Sequence, residues 1–140
     1  MRNLKTIIFL FLIAGWTNVF GQPTFSLSQS DIACGEQTCL QVSVRDFSNI
    51  LSFQYSMNWD ATILGNATTQ SFGIADLSDA NFNLSTQGIA RIGWDDATIS
   101  GVSLADNTVL FEICFDEIGG NTANAAVQFS GSPIAIEVVD

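Results

Sequence analysis

The sequence predicts an all-β fold, a β-sandwich of two sheets, and three features carry that expectation. Apolar and polar residues alternate in several segments, most clearly at 51–60. There Leu51, Phe53, Tyr55, Met57 and Trp59 share one parity, and Ser52, Gln54, Ser56, Asn58 and Asp60 share the other. Successive side chains of a strand point to opposite faces, so this is a strand with one buried and one wet face. Turn-forming residues recur at intervals of roughly ten residues. No segment has the period of an amphipathic helix. Eight or nine short strands, each with an apolar face to hide, must stack as two sheets.

The elements come in chain order. Arg2 and Lys5 precede the apolar run Thr6–Ala14, and the segment closes on Val19-Phe20-Gly21 before Gln22. A basic start, a short apolar stretch and a small residue before the cut mark residues 1–21 as a secretory signal peptide. A membrane anchor needs roughly 20 apolar residues, and Gly15, Thr17 and Asn18 interrupt too early. Residues 22–140 then form one domain with one core. Leu40, Val42 and Val44 give a strand near 38–47, and the opening alternation gives the next, about 50–59. Residues 60–65 read as a single helical turn or a loop, and 66–80 as a long polar connection with a brief strand around 71–74. Phe82 and Leu84 start another strand, Ile89 to Asp95 the next, and Thr108 to Glu117 a long one. In that long strand Val109, Phe111, Ile113 and Phe115 are assigned to one face. Val127 with Phe129, and then Ile134, Ile136 and Val138, complete the set. The chain shows no internal repeat, linker or low-complexity tract.

Composition excludes several functions. Beyond residue 21 only Arg45 and Arg91 remain against 14 acidic residues, a formal charge of −12. Such a surface repels phosphate backbones, which excludes nucleic acid as a partner. It suits solubility, cation contact or a basic partner. With no histidine anywhere and no lysine beyond the signal, Ser-His, Cys-His, Ser-Lys and Schiff-base chemistry are absent. Asp95 and Asp96 are neighbours on a strand and point apart, while Asp116 and Glu117 read as solvated turn charges, so no catalytic carboxylate pair is expected. Asp76, Asp79, Asp95, Asp96 and Asp106 lie in or beside loops; calcium there is conceivable, but turn-capping is the plainer role. Asn66-Ala-Thr68 and Asn83-Leu-Ser85 match the N-glycosylation acceptor. Phe72, Phe82 and Trp94 are the candidate stacking rings for a glycan, yet Trp94 shares inward parity with Ala90 and Ile92. No line of exposed rings can be assembled. Three cysteines in an oxidising compartment suggest one disulfide and one leftover thiol. Cys34 with Cys39 would close a short turn, and Cys39 with Cys114 would join two strands; both pairings stay open at this level.

The order of features resembles a cohesin domain. "CLQVSVRDFSNILSFQYSMNWDATIL" is similar to the start of that family: an apolar strand, a turn, an alternating aromatic strand, and a corner that here is Trp59-Asp60-Ala-Thr-Ile-Leu64. "GIARIGWDD" and "TVLFEICFDEIG" resemble its later strands. The likeness spans roughly residues 24–140 and is closest to cohesin-like modules in large exported proteins of Bacteroidetes-type bacteria. Most matched positions are core positions, which report fold better than function.

The resemblance implies a jelly-roll sandwich of about nine strands, the broad fold also used by cellulose-binding modules. It implies a secreted, non-catalytic module, extracellular or at the cell surface, that docks a dockerin-type partner in extracellular polysaccharide catabolism. Dockerins are modules that fold around calcium; no cofactor or metal is implied for this chain itself. A carbohydrate-binding module with a polysaccharide ligand and a structural spacer or adhesion domain are the alternatives. The resemblance favours Cys39–Cys114 as the disulfide, both facing outward on neighbouring strands. For partner contact it points to strand surfaces: the outward side of the 52–58 strand (Ser52, Gln54, Ser56, Asn58), with Arg91 nearby.

Overall fold

The computed structural model describes residues 21–28, 37–119 and 126–140. The expected signal peptide (all but Gly21) and Cys34 therefore lie outside the described residues. Nine strands form: β1 Thr24–Leu27, β2 Gln37–Arg45, β3 Ser52–Asn58, β4 Leu64–Gln70, β5 Phe82–Thr86, β6 Ile89–Asp95, β7 Thr108–Glu117, β8 Gln128–Ser130 and β9 Glu137–Val139. A single 3₁₀ turn, Asp79–Asn81, precedes β5. Among the described residues no helix is long and apolar enough to cross a membrane.

The strands make the expected jelly-roll sandwich. One sheet has the order β1-β2-β7-β4; the other has the order β5-β6-β3-β8, with β9 also on β3. All pairings are antiparallel. The inward parity of β3 supplies Phe53, Tyr55 and Met57, none more than 2% exposed, and Trp59 sits at the rim. Trp94 on β6 stacks on Phe53 at 5.3 Å, and Phe111 and Phe115 from β7 face them across the sandwich. The rings at 51–60 are thus core, as their period requires. Burial pushes the Tyr55 phenol pKa upward, because the charged form cannot be solvated there.

Four expectations need correction. In place of a connection over 66–80 with a brief strand at 71–74, β4 runs from Leu64 to Gln70, and 71–73 come after it without strand. Its polar sequence, Leu-Gly-Asn-Ala-Thr-Thr-Gln, belongs to a sheet edge with one wet face, and its alternation is muted by a register shift between Gly65 and Thr68. In β7, Val42 pairs with Phe111 but Ser43 with Val109, so Leu110 is an inserted residue. That bulge resets the parity: Leu110 is fully buried, whereas Val109 lies opposite outward-facing Ser43. β1 has no counterpart in the sequence-based assignment, and the expected last strand from Ile134 to Val138 is only Glu137–Val139.

β8 and β9 divide one edge of β3 between them. β8 pairs with Ser56–Asn58, and β9 with Ser52–Gln54 of the same strand. Residues 131–136 leave the ladder between them, and a cis bond joins Ser132 to Pro133.

Cys39 and Cys114 lie directly opposite each other in the β2–β7 register and form a disulfide, Cα–Cα 3.9 Å. Both sit on the outer face of the four-stranded sheet, opposite in parity to buried Leu40 and Ile113. The Cys34–Cys39 alternative is replaced, since cross-strand register presents Cys114 to Cys39.

Candidate functional site

The predicted contact residues gather on the outer face of the five-stranded sheet. β3 contributes Ser52, Gln54, Ser56 and Asn58, because every second residue faces away from the core. β6 adds Arg91, Gly93 and Asp95, and β5 adds Asn83. Register orders them into cross-strand rows: Val139–Ser52–Asp95, then Glu137–Gln54–Gly93, then Ser130–Ser56–Arg91–Asn83. Gln54 donates to Glu137 Oε2 at 3.1 Å, and Asn81 donates to the Gly93 carbonyl at 2.9 Å. Arg91 donates through Nη1 to Thr86 Oγ1 at 3.4 Å, a long contact that leaves most of the guanidinium fork open.

Ser56 is the exception. It faces outward yet is fully buried, and its hydroxyl accepts a 3.1 Å hydrogen bond from the Ile134 amide. The 131–136 excursion lies over it, so Ser56 drops out of the contact surface. The same excursion helps wall an open groove of about 590 Å³, lined by Gln54, Asn81, Phe82, Asn83, Leu84, Arg91 and Ile134 among others. Sequence reasoning points to Gln54 and Arg91 here but misses Asn81 and Ile134, because a 3₁₀ turn and a break in an edge strand have no periodic signature.

The other outer face is a closed polar network. Glu112 on β7 accepts from Gln41 Nε2 (3.0 Å), Gln70 Nε2 (3.0 Å) and Ser71 Oγ (2.8 Å). Those donors, Gln41 first, hold the Glu112 carboxyl below its ordinary value. Asn66 donates to Asp116 at 2.8 Å, which occupies the amide of one glycosylation match. At the other match, the Asn83 side-chain oxygen accepts from the Ser85 amide and hydroxyl.

Of the loop aspartates, Asp96 closes its own turn, whereas Asp79 and Asp106 tie separate segments together: Asp79 accepts from Thr69 Oγ1, and Asp106 accepts from the Asp46 amide. No three metal-ligating side chains gather among the described residues. Asp96 is almost fully buried and receives Thr98 N and Oγ1 on one oxygen and Ser100 N and Gly101 N, each 2.9 Å, on the other. The Thr98 hydroxyl and amide, aided by the Ser100 and Gly101 amides, pull its carboxyl down to about 2 against the opposing effect of desolvation. The stacking-ring candidates are engaged internally: Phe72 packs against Phe82 at 6.0 Å, Phe82 against Phe111 at 4.8 Å, and Trp94 is buried.

One short recurrence qualifies the absence of repeats. Trp59-Asp60-Ala61-Thr62-Ile63 and Trp94-Asp95-Asp96-Ala97-Thr98-Ile99 share Asp-Ala-Thr-Ile after a tryptophan. In both copies the aspartate accepts from the amide and hydroxyl of the threonine two residues on. Four shared residues in two copies set up no period, so only their common hydrogen bonding marks them as related.

No family model matches the sequence, and no curated protein matches it. Solved structures do. The chain is similar to a complex of CaCohA2 with a variant of CaDoc0917, at 18% identity over 85% of this chain and 87% of that one, with a TM-score of 0.68; CaCohA2 is from Clostridium acetobutylicum. A Coh-OlpA–Doc918 type I cohesin–dockerin complex from Clostridium thermocellum matches at 12% identity over 86% and 87%, TM-score 0.68. The sixth cohesin of scaffoldin B from Acetivibrio cellulolyticus, in complex with a Cel5 dockerin mutant, matches at 19% over 79% and 83%, TM-score 0.64. The two-sheet, nine-strand architecture of this chain is therefore the cohesin fold.

Proposed function

We propose that this chain is an exported, non-catalytic docking module that binds a dockerin-type protein through the outer face of its five-stranded sheet, in extracellular polysaccharide breakdown. The observation that carries the reading is the likeness over most of the chain to cohesins solved in complexes with dockerins. Residues 1–21 serve as the export signal, and residues 22–140 as the docking domain. The lack of histidine, and of lysine beyond residue 21, supports a non-catalytic role. The half-buried polar row of Ser52 and Gln54, beside Arg91 and its groove, has the shallow, polar relief that suits a protein surface better than a glycan, while Asn58 is half-buried with its side-chain oxygen covered. Arg91 supplies the single positive charge described on that sheet, a partner for a carboxylate.

The test is capture of a binder on immobilised residues 22–140 from the secreted and surface fraction in calcium, followed by EDTA elution. The expected result is an EDTA-released protein that rebinds when purified and is weakened about tenfold by Arg91→Glu. Retention of polysaccharide without protein would shift the reading to a carbohydrate-binding module. If neither is retained, the spacer or adhesion role becomes the better account.

A further inference from the structure

We infer that the end of the sandwich bearing Ile99 is a second docking surface, fitted to a protein segment with an apolar side flanked by lysines or arginines. Ile99 is 79% exposed and has φ +53°. A β-branched residue in the left-handed region is a backbone outlier, strained by its Cβ against the following carbonyl. Neighbouring structure enforces it. The Asp96 carboxylate gathers Thr98, Ser100 and Gly101, the Ile99 amide donates to the Asp96 carbonyl at 3.1 Å, and Gly101 turns the chain back at φ +79°. The result is a rigid loop that holds one large apolar side chain in solvent.

The recurrence provides an internal control. In the Asp60 copy, Ile63 and Leu64 donate to the Asp60 carbonyl, and Ile63 packs against the core without left-handed backbone. An Asp-Ala-Thr-Ile turn therefore does not itself require an exposed isoleucine. At Ile99 the fold gives up both the burial and the relaxed backbone that the same residues have at Ile63.

The surroundings extend this knob into a surface. Of the four most exposed large apolar side chains described, Ile99 and Ile136 (56%) lie at or line this end, Val139 (41%) stands where this end meets the outer face of the five-stranded sheet, and Ile118 lies beside Gly65 at the other. Val139 and Asp96 both hydrogen-bond to Leu51, so β9 and the Ile99 loop are two strand spacings apart, about 10 Å. Pro23, Ile50, Ile136 and Val138 wall a cleft of about 340 Å³ beside them. The rim is acidic: Asp46, Asp106 and Asp140 stand here and Asp95 borders it from the sheet face, with Arg45 the one basic side chain described at this end. Such a rim repels a second copy of this chain and attracts cations, which selects the basic, apolar occupant.

The test titrates the isotope-labelled full domain with a short amphipathic Leu/Lys peptide, and in parallel with the matched Leu/Glu peptide. Saturable shifts centred on Ile99, Ile136 and Val139 with the Leu/Lys peptide alone are expected. Ile99→Asn, which keeps a residue tolerant of the left-handed region, should fold normally and weaken the complex about tenfold. Ile118→Asn at the opposite end should leave it unchanged. The proposal is overturned if Ile99→Asn binds like the parent, which would leave charge alone as the cause. It is equally overturned if the Leu/Glu peptide binds as well, if no peptide saturates, or if sedimentation shows an Ile99-dependent dimer.

Discussion

The two Asp-Ala-Thr-Ile turns compare one local sequence in two settings. Both aspartates accept from a threonine two residues ahead, and both come after a tryptophan whose indole N–H is bonded to a backbone carbonyl: Trp59 to Leu64, Trp94 to Ala75. After Ile63 the chain enters β4 and sends Leu64 into the core. After Ile99 it crosses the end of the sandwich toward the isolated Ile50–Val102 bridge, and the isoleucine stays exposed. Local hydrogen bonding chose the turn in both places. The path of the chain beyond each turn chose the fate of the apolar side chain.

The comparison can be broken or sharpened experimentally. The largest effect should come from a change remote from both turns, the double replacement Cys39→Ala/Cys114→Ala. The disulfide closes a sequence separation of 75 residues, and chain entropy assigns such a closure about 4 kcal/mol. Urea unfolding should show that loss while the ordering of the two isoleucine variants is preserved. A changed ordering would mean the turns are not autonomous.

Next, Ile63→Ala should cost about 1–2 kcal/mol, since a half-buried aliphatic side chain loses part of its contact with the core. Ile99→Ala should lie within about 0.5 kcal/mol of the parent, as expected at an exposed position. Equal costs at both sites would remove the contrast.

The carboxylates differ in the same direction. Asp96 is held at about 2, below the ordinary unfolded value of about 3.9. Its contribution is therefore full above about pH 4 and is lost as pH falls through 2. Asp60 is also lowered, by the Thr62 hydroxyl and amide, with fewer donors in total. Calorimetry between pH 4 and 2 should show Tm falling less steeply in Asp96→Asn than in the parent, and Asp60→Asn should flatten it less. The last expected effect has the opposite sign: Ile99→Gly should stabilise by up to about 1 kcal/mol, since glycine relaxes the left-handed residue at some entropic cost.

Much of the fold was legible because period-two alternation is a local property of the chain. β2, β3, β6 and β7 all emerged within a few residues of their bounds, and every ring expected to face inward from β3 and β6 does so. β4 was not legible, because an edge strand with one wet face need not look apolar. Nor was the parity of Val109, since a single inserted residue flips a face without leaving a mark in composition. For the candidate site, alternation placed Ser52, Gln54, Asn58 and Arg91 on one outer face, and the register then made Ser56 and Arg91 cross-strand neighbours. It could not show that Ser56 is covered, because the covering residue, Ile134, is 78 positions away in sequence.

By itself the sequence determined the sandwich, the inward rings, and the excess of carboxylates over two arginines, since each comes from residue type and nearest-neighbour spacing. Tertiary structure alone decided that Cys39 meets Cys114, that a groove opens beside Arg91, and that one of two matching isoleucines is packed while the other stands in water. Those outcomes depend on which distant strand arrives alongside, and register between distant segments is a property of the whole packed chain.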